Sequence, residues 1–194
     1  MLDLIESLKL LPGVGTRSAE RYAYFLLKNH PSKAKQLAGS LEDLHEGVDY
    51  CQKTYALVPK GQELSDLYTD SRRNKHVVAI VAEPLDIVAV EGISAFKGTY
   101  HVLGGLLSPI DGISPQDLRL DALMQRIDED MVEEVILAIN ASVEGESTAL
   151  LIQKMLEDKS VKLTRLAQGL PIGVDIEYAD QITLAKAFDG RRDF

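Results

Sequence analysis

The sequence predicts an α/β fold, a parallel sheet flanked by helices behind a small N-terminal helical region, and three observations carry that expectation. From His76 onward, short apolar runs alternate with amphipathic stretches of helical length, the pattern of strand–helix units that build parallel sheets. Ahead of them, two stretches with apolar residues at helical spacing flank LPGVG, residues 11–15. Composition is that of a globule, with 45% hydrophobic and 26% charged residues among 194, enough for one core of ordinary size with small flanking modules.

Residues 2–10 and 16–29 read as the first two helices, with Leu4, Leu8 and Leu11 on the inner face of one and Ala19, Tyr22, Ala23 and Leu26 on that of the other. Pro12 stops the first helix and Gly13 and Gly15 permit positive φ. Thr16 is the expected N-cap of the second helix, with Glu20 in its first turn, and Asn29, His30 and Pro31 end it. A third helix is expected over 32–47 from the spacing of Ala34, Leu37, Leu41 and Leu44. Residues 48–75 have no clear period and finish in the turn DSRRN, so they read as a small irregular module or hairpin.

HVVAIVAE, beginning at His76, is a continuous apolar run ending in an acid, as suits a strand buried on both faces. PLDIVAVEG then reads as a helix, TYHVLGG as a strand, SPQDLRLDALMQRI as a helix and EEVILAIN as a strand. GESTALLIQKMLEDK is the next helix and VKLTRLA the last strand. The carboxyl ends of these strands hold Glu83, Gly104–Gly105 and Asn140, and ligands of open α/β sheets sit at that edge. The tail opens as loop at Gly169 and closes in a helix capped near Gly190. Four segments follow: 1–47, 48–75, 76–167 and 168–194.

Charge narrows the function classes. The net charge of −9 argues against a protein that coats nucleic acid with its whole surface. Residues 1–35, however, hold six bases (Lys9, Arg17, Arg21, Lys28, Lys33, Lys35) against three acids, a local +3 that leaves −12 for the rest. The N-terminus carries Asp3 and Glu6 with no cationic leader, and no stretch of 18 apolar residues occurs, so a cytoplasmic protein without membrane partners is expected. Cys51 is the single cysteine, which excludes an intrachain disulfide and a complete cysteine-based zinc site, and reads most simply as a small buried apolar residue.

LPGVGTRSAERY, residues 11–22, has the parts of a helix-hairpin-helix that grips DNA without reading its sequence. Gly13 and Gly15 let main-chain N–H groups approach a phosphate, the second helix offers its N-terminus, and Arg17 and Arg21 stand one turn apart on it. The plainer alternative is a glycine turn between packed helices with solvated arginines. AINASVEGESTA, residues 138–149, resembles the acidic motif of Toprim domains, A-x-D-x-D-x-E-G-E, in which the aspartates hold magnesium and an earlier glutamate, matched by Glu83, assists phosphoryl transfer. Here Asn140 and Ser142 stand at the aspartate positions, and neither suits a hard cation that prefers carboxylates. Glu83, Glu144 and Glu146 remain as residues for a weakened cation site or for partner contact.

Taken in order, LPGVGTRSAERYA, DSRRN, YHVLGGLLSPIDGISPQDLRLDAL, AINASVEGESTAL and TRLAQGLPIGVDIEYAD resemble the RecR family of recombination mediators over nearly the whole chain. The resemblance implies a helix-hairpin-helix, a zinc-finger module, a Toprim-like domain without catalysis and a C-terminal segment that contacts a neighbouring subunit. It implies a homo-oligomer, dimer or ring tetramer, that binds gapped, single- or double-stranded DNA, partners RecO and RecF and helps load RecA. It also implies DNA contacts at Gly13, Gly15, Arg17 and Arg21. Three departures stand out. The four cysteine positions of the family's zinc finger fall on Cys51, Thr54, Ser65 and Tyr68, so no zinc is expected; Val174 replaces a usual glycine, and Ala82 precedes Glu83 where relatives often pair two glutamates. A metal-dependent Toprim nuclease or primase is the alternative, disfavoured by the missing aspartates. A protein-interaction module that has lost DNA binding is a third class. No Walker A sequence is present to support ATP-driven work.

Overall fold

The computed structural model describes residues 1–191, so the expected C-terminal segment 168–194 ends outside the described residues. The chain divides into two compact units, one made of Met1–Asp49 with Pro59–Gly61 and the other of Tyr50–Val58 and the chain from Gln62. The stretch 48–75, read from the sequence as one module, is shared between them.

In the first unit, α1 spans Leu2–Leu8, α2 Thr16–Lys28 and α3 Pro31–Glu42. Its small core joins Ile5 of α1 to Ala19 and Ala23 of α2, with Leu8 and Val14 packed alongside. The expected inner face of α1 is corrected by this contact: Ile5 is buried, whereas Leu4 and Leu11 are exposed, because α1 ends at Leu8 and Leu11 lies beyond it. Tyr22 is exposed as well, since the paired alanines alone fill the α2 contact. α3 buries none of its residues and ends at Glu42, short of the expected 47, so that Leu44 lies beyond it; Leu37, Leu41 and Leu44 are all exposed.

The second unit is built on a parallel sheet of four strands: β3 (Asn74–Val81), β4 (Gly98–Val102), β5 (Glu134–Leu137) and β6 (Lys162–Arg165), in the order β4-β3-β5-β6. The connections are α5 (Pro84–Gly92), α6 (Leu120–Glu129) and α7 (Val143–Leu156). Alternation along β3 serves two cores. Val78 and Ile80 pack with Leu123 and Ile127 of α6 and Ala149 and Ile152 of α7, whereas Ala79 and Val81 pack with Ile87 of α5, Tyr100 and Val102. A strand covered on both faces needs apolar residues at successive positions, which is why HVVAIVAE lacks a period of two. Ahead of the sheet, β1 (Val48–Tyr50) and β2 (Leu57–Pro59) pair, and α4 spans Asp66–Thr69.

SPQDLRLDALMQRI does not form one helix. Ser114 donates its N–H (2.8 Å) and hydroxyl (2.6 Å) to the Asp117 carboxylate, closing a single 3-10 turn over Pro115–Asp117. Arg119 then departs from helical geometry at ψ 47° before α6 begins at Leu120. The break leaves the Arg119 side chain at the sheet's carboxyl edge instead of on a helix. α8, Gln181–Asp189, is capped by Asp180 and ends at Gly190 as the tail pattern predicts. Among the described residues no helix is long and apolar enough to cross a membrane.

Candidate nucleic-acid interface

The hairpin between α1 and α2 is short and closed by its own main chain: Val14 N–H donates to the Leu11 carbonyl at 3.1 Å. Of the two glycines only Gly13 takes positive φ, at +78°, where a side chain would be strained. Gly15 is extended and forms the N-cap of α2, correcting the expectation for Thr16, which is the first helical residue. Glu20 consequently falls outside the first turn, which contains no acid, and no side chain caps the helix. A helix start with no side-chain cap and no acid in its first turn favours an anion through both its N–H groups and its dipole.

Arg17 and Arg21 stand on the exposed side of this helix. Each lies two residues before one of the buried alanines, Ala19 and Ala23, about 200° round the helix, so the packing that holds α2 in place directs both arginines outward. Neither joins an ion pair among the described residues. The Arg21 guanidinium rests 5.5 Å from the Tyr22 ring centre, and Lys33 bonds Asn29 Oδ1 at 3.0 Å.

At the carboxyl edge of the sheet the acidic motif has been turned to structural use. Ser142 caps α7, its Oγ accepting the Gly145 N–H at 3.1 Å. Gly145 is packed so closely that a Cβ there would stand 1.9 Å from the Asn140 carbonyl oxygen, which accounts for the glycine between Glu144 and Glu146. Glu146 is held by Arg165 through two bonds of 3.0 Å, with Lys186 at 3.9 Å, and the Arg165 bonds depress its acidity range below that of an ordinary glutamate. Glu83 sits exposed at the start of α5, its N–H donating to Asp86 Oδ2 at 2.8 Å. Among the described residues no three His, Cys, Asp or Glu side chains are grouped to hold a metal; Glu83, Glu144 and Glu146 are not brought together as a cation site. An amide and a capping hydroxyl at the aspartate positions do not fit magnesium.

Cys51, Thr54, Ser65 and Tyr68 are nevertheless all buried. The Thr54 and Ser65 N–H groups donate to Cys51 Sγ at 3.4 and 3.2 Å, and the Thr54 and Ser65 hydroxyls lie 3.4 Å apart. Tyr68 reaches out of the group and donates its hydroxyl to Asp130 Oδ1 at 2.8 Å. Burial and the Asp130 carboxylate push its phenol up to about 12. One thiol, two hydroxyls and a phenol do not fit zinc, whose structural sites take four Cys or His ligands; hydrogen bonds fill the same positions instead. Of the apolar residues in this region, Val58 and Tyr68 are buried while Tyr50 and Leu57 are exposed.

The polar partners that complete these sites escaped the sequence reading. Arg126, nearly inaccessible within α6, donates to Asp130 Oδ2 (3.0 Å), Thr99 Oγ1 (2.7 Å) and the Tyr100 carbonyl. The available signal was an arginine on the same helical face as Leu123 and Ile127, with an acid four residues later.

A four-stranded parallel sheet with Asn140 and Ser142 beyond its carboxyl edge, joined in one chain to an N-terminal helix-hairpin-helix region, defines the class, a mixed α/β protein that combines a helix-hairpin-helix with a Toprim domain. Models of three domains match accordingly: "RecR, helix-hairpin-helix" over residues 1–45, "Toprim domain" over 76–167 and "RecR, C-terminal" over 169–192. Relatives called "Recombination protein RecR" are 45% identical over 190 residues in Gloeobacter violaceus, covering 98% of this chain and 95% of the relative, and 45% identical in Streptomyces avermitilis, covering 98% and 94%. That of Treponema denticola is 43% identical over 191 residues, covering 98% and 97%. The chain belongs to the RecR family of recombination proteins.

Proposed function

We propose that this protein is a non-catalytic DNA-binding mediator of recombination repair that holds the phosphate backbone of gapped DNA through its helix-hairpin-helix and helps load RecA together with RecO and RecF. The observation that carries this reading is the start of α2, which has no side-chain cap, with Gly13 and Gly15 before it and with Arg17 and Arg21, which join no ion pair among the described residues, beside it. The role of scaffold instead of nuclease or primase is supported by the capping duty of Ser142 and the amide at Asn140. Glu83, Glu144 and Glu146 are the acids that would meet a protein partner, of which Glu146 also pairs with Arg165. A homo-oligomer, dimer or ring tetramer, is supported by the exposed Ile172, Ile176, Tyr178 and Ile182 of the tail, and several hairpins facing one strand raise the effective concentration of each. The protein works in the cytoplasm and needs no cofactor.

Replacing Arg17 and Arg21 together by Ala is expected to weaken binding to two unrelated gapped DNAs by the same factor, because phosphates carry no sequence. Loss confined to one sequence would point to base contacts. Elemental analysis of the purified protein is expected to give no stoichiometric zinc, with the fold unchanged in a strong chelator. One zinc per chain would overturn the substitution of hydrogen bonds for metal at Cys51, Thr54, Ser65 and Tyr68.

A further inference from the structure

The broken helix before α6 leaves Arg119 in an unusual setting. Its main chain is fixed on both sides: its N–H donates to the Leu103 carbonyl at 3.0 Å, and its carbonyl meets His101 Nε2 at 2.9 Å. Its guanidinium carbon lies 5.0 Å from the Tyr50 ring centre and 4.8 Å from that of Tyr55. Nη1 lies so close over Gly104 that a Cβ there would stand 2.6 Å away. Gly104 is at φ +87° just past the end of β4, so the guanidinium sits at the carboxyl edge of the sheet, where this architecture places ligands. The Gly104 and Gly105 N–H groups are both spent on the Ala82 carbonyl, at 2.9 and 3.0 Å. Of Gly104, Gly105 and Arg119, it is the arginine that keeps donors for a ligand.

Three features separate this residue from a solvated surface arginine. Contact with ring faces uses its charge and leaves its five N–H donors unused, and among the described residues the Arg119 side chain has neither a carboxylate partner nor a hydrogen bond. Tyr55 is held at φ +58°, a left-handed conformation that side-chain-bearing residues seldom adopt and that costs on the order of 1 kcal/mol, and in that conformation its ring meets both Arg119 and His101. Tyr50, beside the same cation, is 54% exposed. A fixed guanidinium with free donors next to an accessible aromatic ring matches the way single-stranded nucleic acid is held, one group on the phosphate and one stacked on a base.

We propose that Arg119, Tyr50 and Tyr55 form a second nucleic-acid contact, in which Arg119 takes a phosphate of a single-stranded segment and Tyr50 stacks a neighbouring base. This rests on the DNA-binding reading above and adds a site on the second unit to that of the hairpin. An acidic protein segment would use the guanidinium alone and leave the exposed ring without a role, so nucleic acid is the better fit.

The test uses the full-length protein, a fluorescent oligothymidylate and anisotropy titrations at several salt concentrations, with circular dichroism to establish that each variant is folded. Arg119→Ala is expected to lower the slope of log K against log salt by about 0.7, one phosphate contact on a single strand, and Arg119→Lys to restore it. Tyr50→Ala is expected to weaken binding at least about five-fold with little change in slope. In the wild-type protein, a bromodeoxyuridine-substituted oligonucleotide is expected to photocross-link to a peptide containing Tyr50 or Tyr55, a readout independent of variant folding. Unchanged slope and affinity in Arg119→Ala, with cross-links confined to the hairpin and with binding still lost in Arg17→Ala/Arg21→Ala, would overturn this site and leave the hairpin reading intact, pointing Arg119 to an acidic protein partner. Failure of the wild-type protein to bind any oligonucleotide would remove both.

Discussion

Arg126→Ala is expected to destabilise the protein by about 3–5 kcal/mol, the cost of breaking a buried charge pair by removing one partner. The side chains of Arg126 and Asp130 are 2% and 9% exposed, and Arg126 also serves Thr99, the Tyr100 carbonyl and, at 5.4 Å, the Tyr68 ring. Truncation strands all of these at once and leaves the Asp130 carboxylate, among the described residues, with only the Tyr68 hydroxyl. Because the same residues join the region around Cys51 to the sheet, the loss reaches the hydrogen-bonded group of Cys51, Thr54, Ser65 and Tyr68. Urea unfolding of Arg126→Ala, Asp130→Ala and the double variant measures this, and the double variant is expected to cost less than the two single losses added together. A cost below 1 kcal/mol for Arg126→Ala would show that the network contributes little.

Stability is also expected to fall steeply between pH 6.5 and pH 4, by about 3 kcal/mol from one residue. His101 is fully buried in β4, its Nδ1 without a hydrogen-bond partner among the described residues. Burial depresses its imidazole to about 4, opposed by the bond to the Arg119 carbonyl and reinforced by the charges of Arg126 and Arg119. The unfolded chain therefore takes up this proton near 6.5 and the folded one only near 4. Protons favour unfolding throughout that window, and the penalty is complete below it. A difference of about 2.5 pKa steps at 1.36 kcal/mol each gives the expected size. His101→Gln, which keeps a donor for the Arg119 carbonyl, is expected to flatten this part of the curve, leaving the acid loss due to carboxylates such as Glu91 and Glu146, both lowered by ion pairing and hydrogen bonds. Parallel curves for the two proteins from pH 7 to pH 4 would contradict the assignment.

Much of this architecture is legible in the sequence, for identifiable reasons. The doubly buried strands announce themselves as unbroken apolar runs, and α5 spans the stretch expected of it, whereas α7 starts at Val143, ahead of the expected Gly145, because Ser142 caps it. The hairpin is visible because proline and glycine punctuate two periodic stretches. Cap details are less legible: Gly15 and Thr16 compete for one position, and the packing of Ala19 and Ala23 on Ile5 decides the register. Local patterns also mislead where a side chain satisfies its bonds outside the helix, as Ser114 and Asp117 do in breaking the stretch before α6. At the candidate sites, residue types alone marked Asn140, Ser142, Thr54, Ser65 and Tyr68 as departures from the ligand pattern that the resemblance implies. What those positions do instead depends on distant partners: Arg165 against Glu146, Asp130 against Tyr68, and Tyr50 and Tyr55 against Arg119. Such pairings span up to dozens of residues and have no local signature.

The central claim, that this protein holds DNA by phosphates at the start of α2, is tested most directly by the salt dependence of binding. Affinity for a gapped DNA is measured across a series of salt concentrations for the wild-type protein and for Arg17→Ala/Arg21→Ala. Two lost phosphate contacts predict that the slope of log K against log salt falls by about 1.4 if both lie on a single strand and by about 1.8 if both lie on duplex. A double variant with the wild-type slope and affinity would contradict the claim and take the hairpin out of the DNA site.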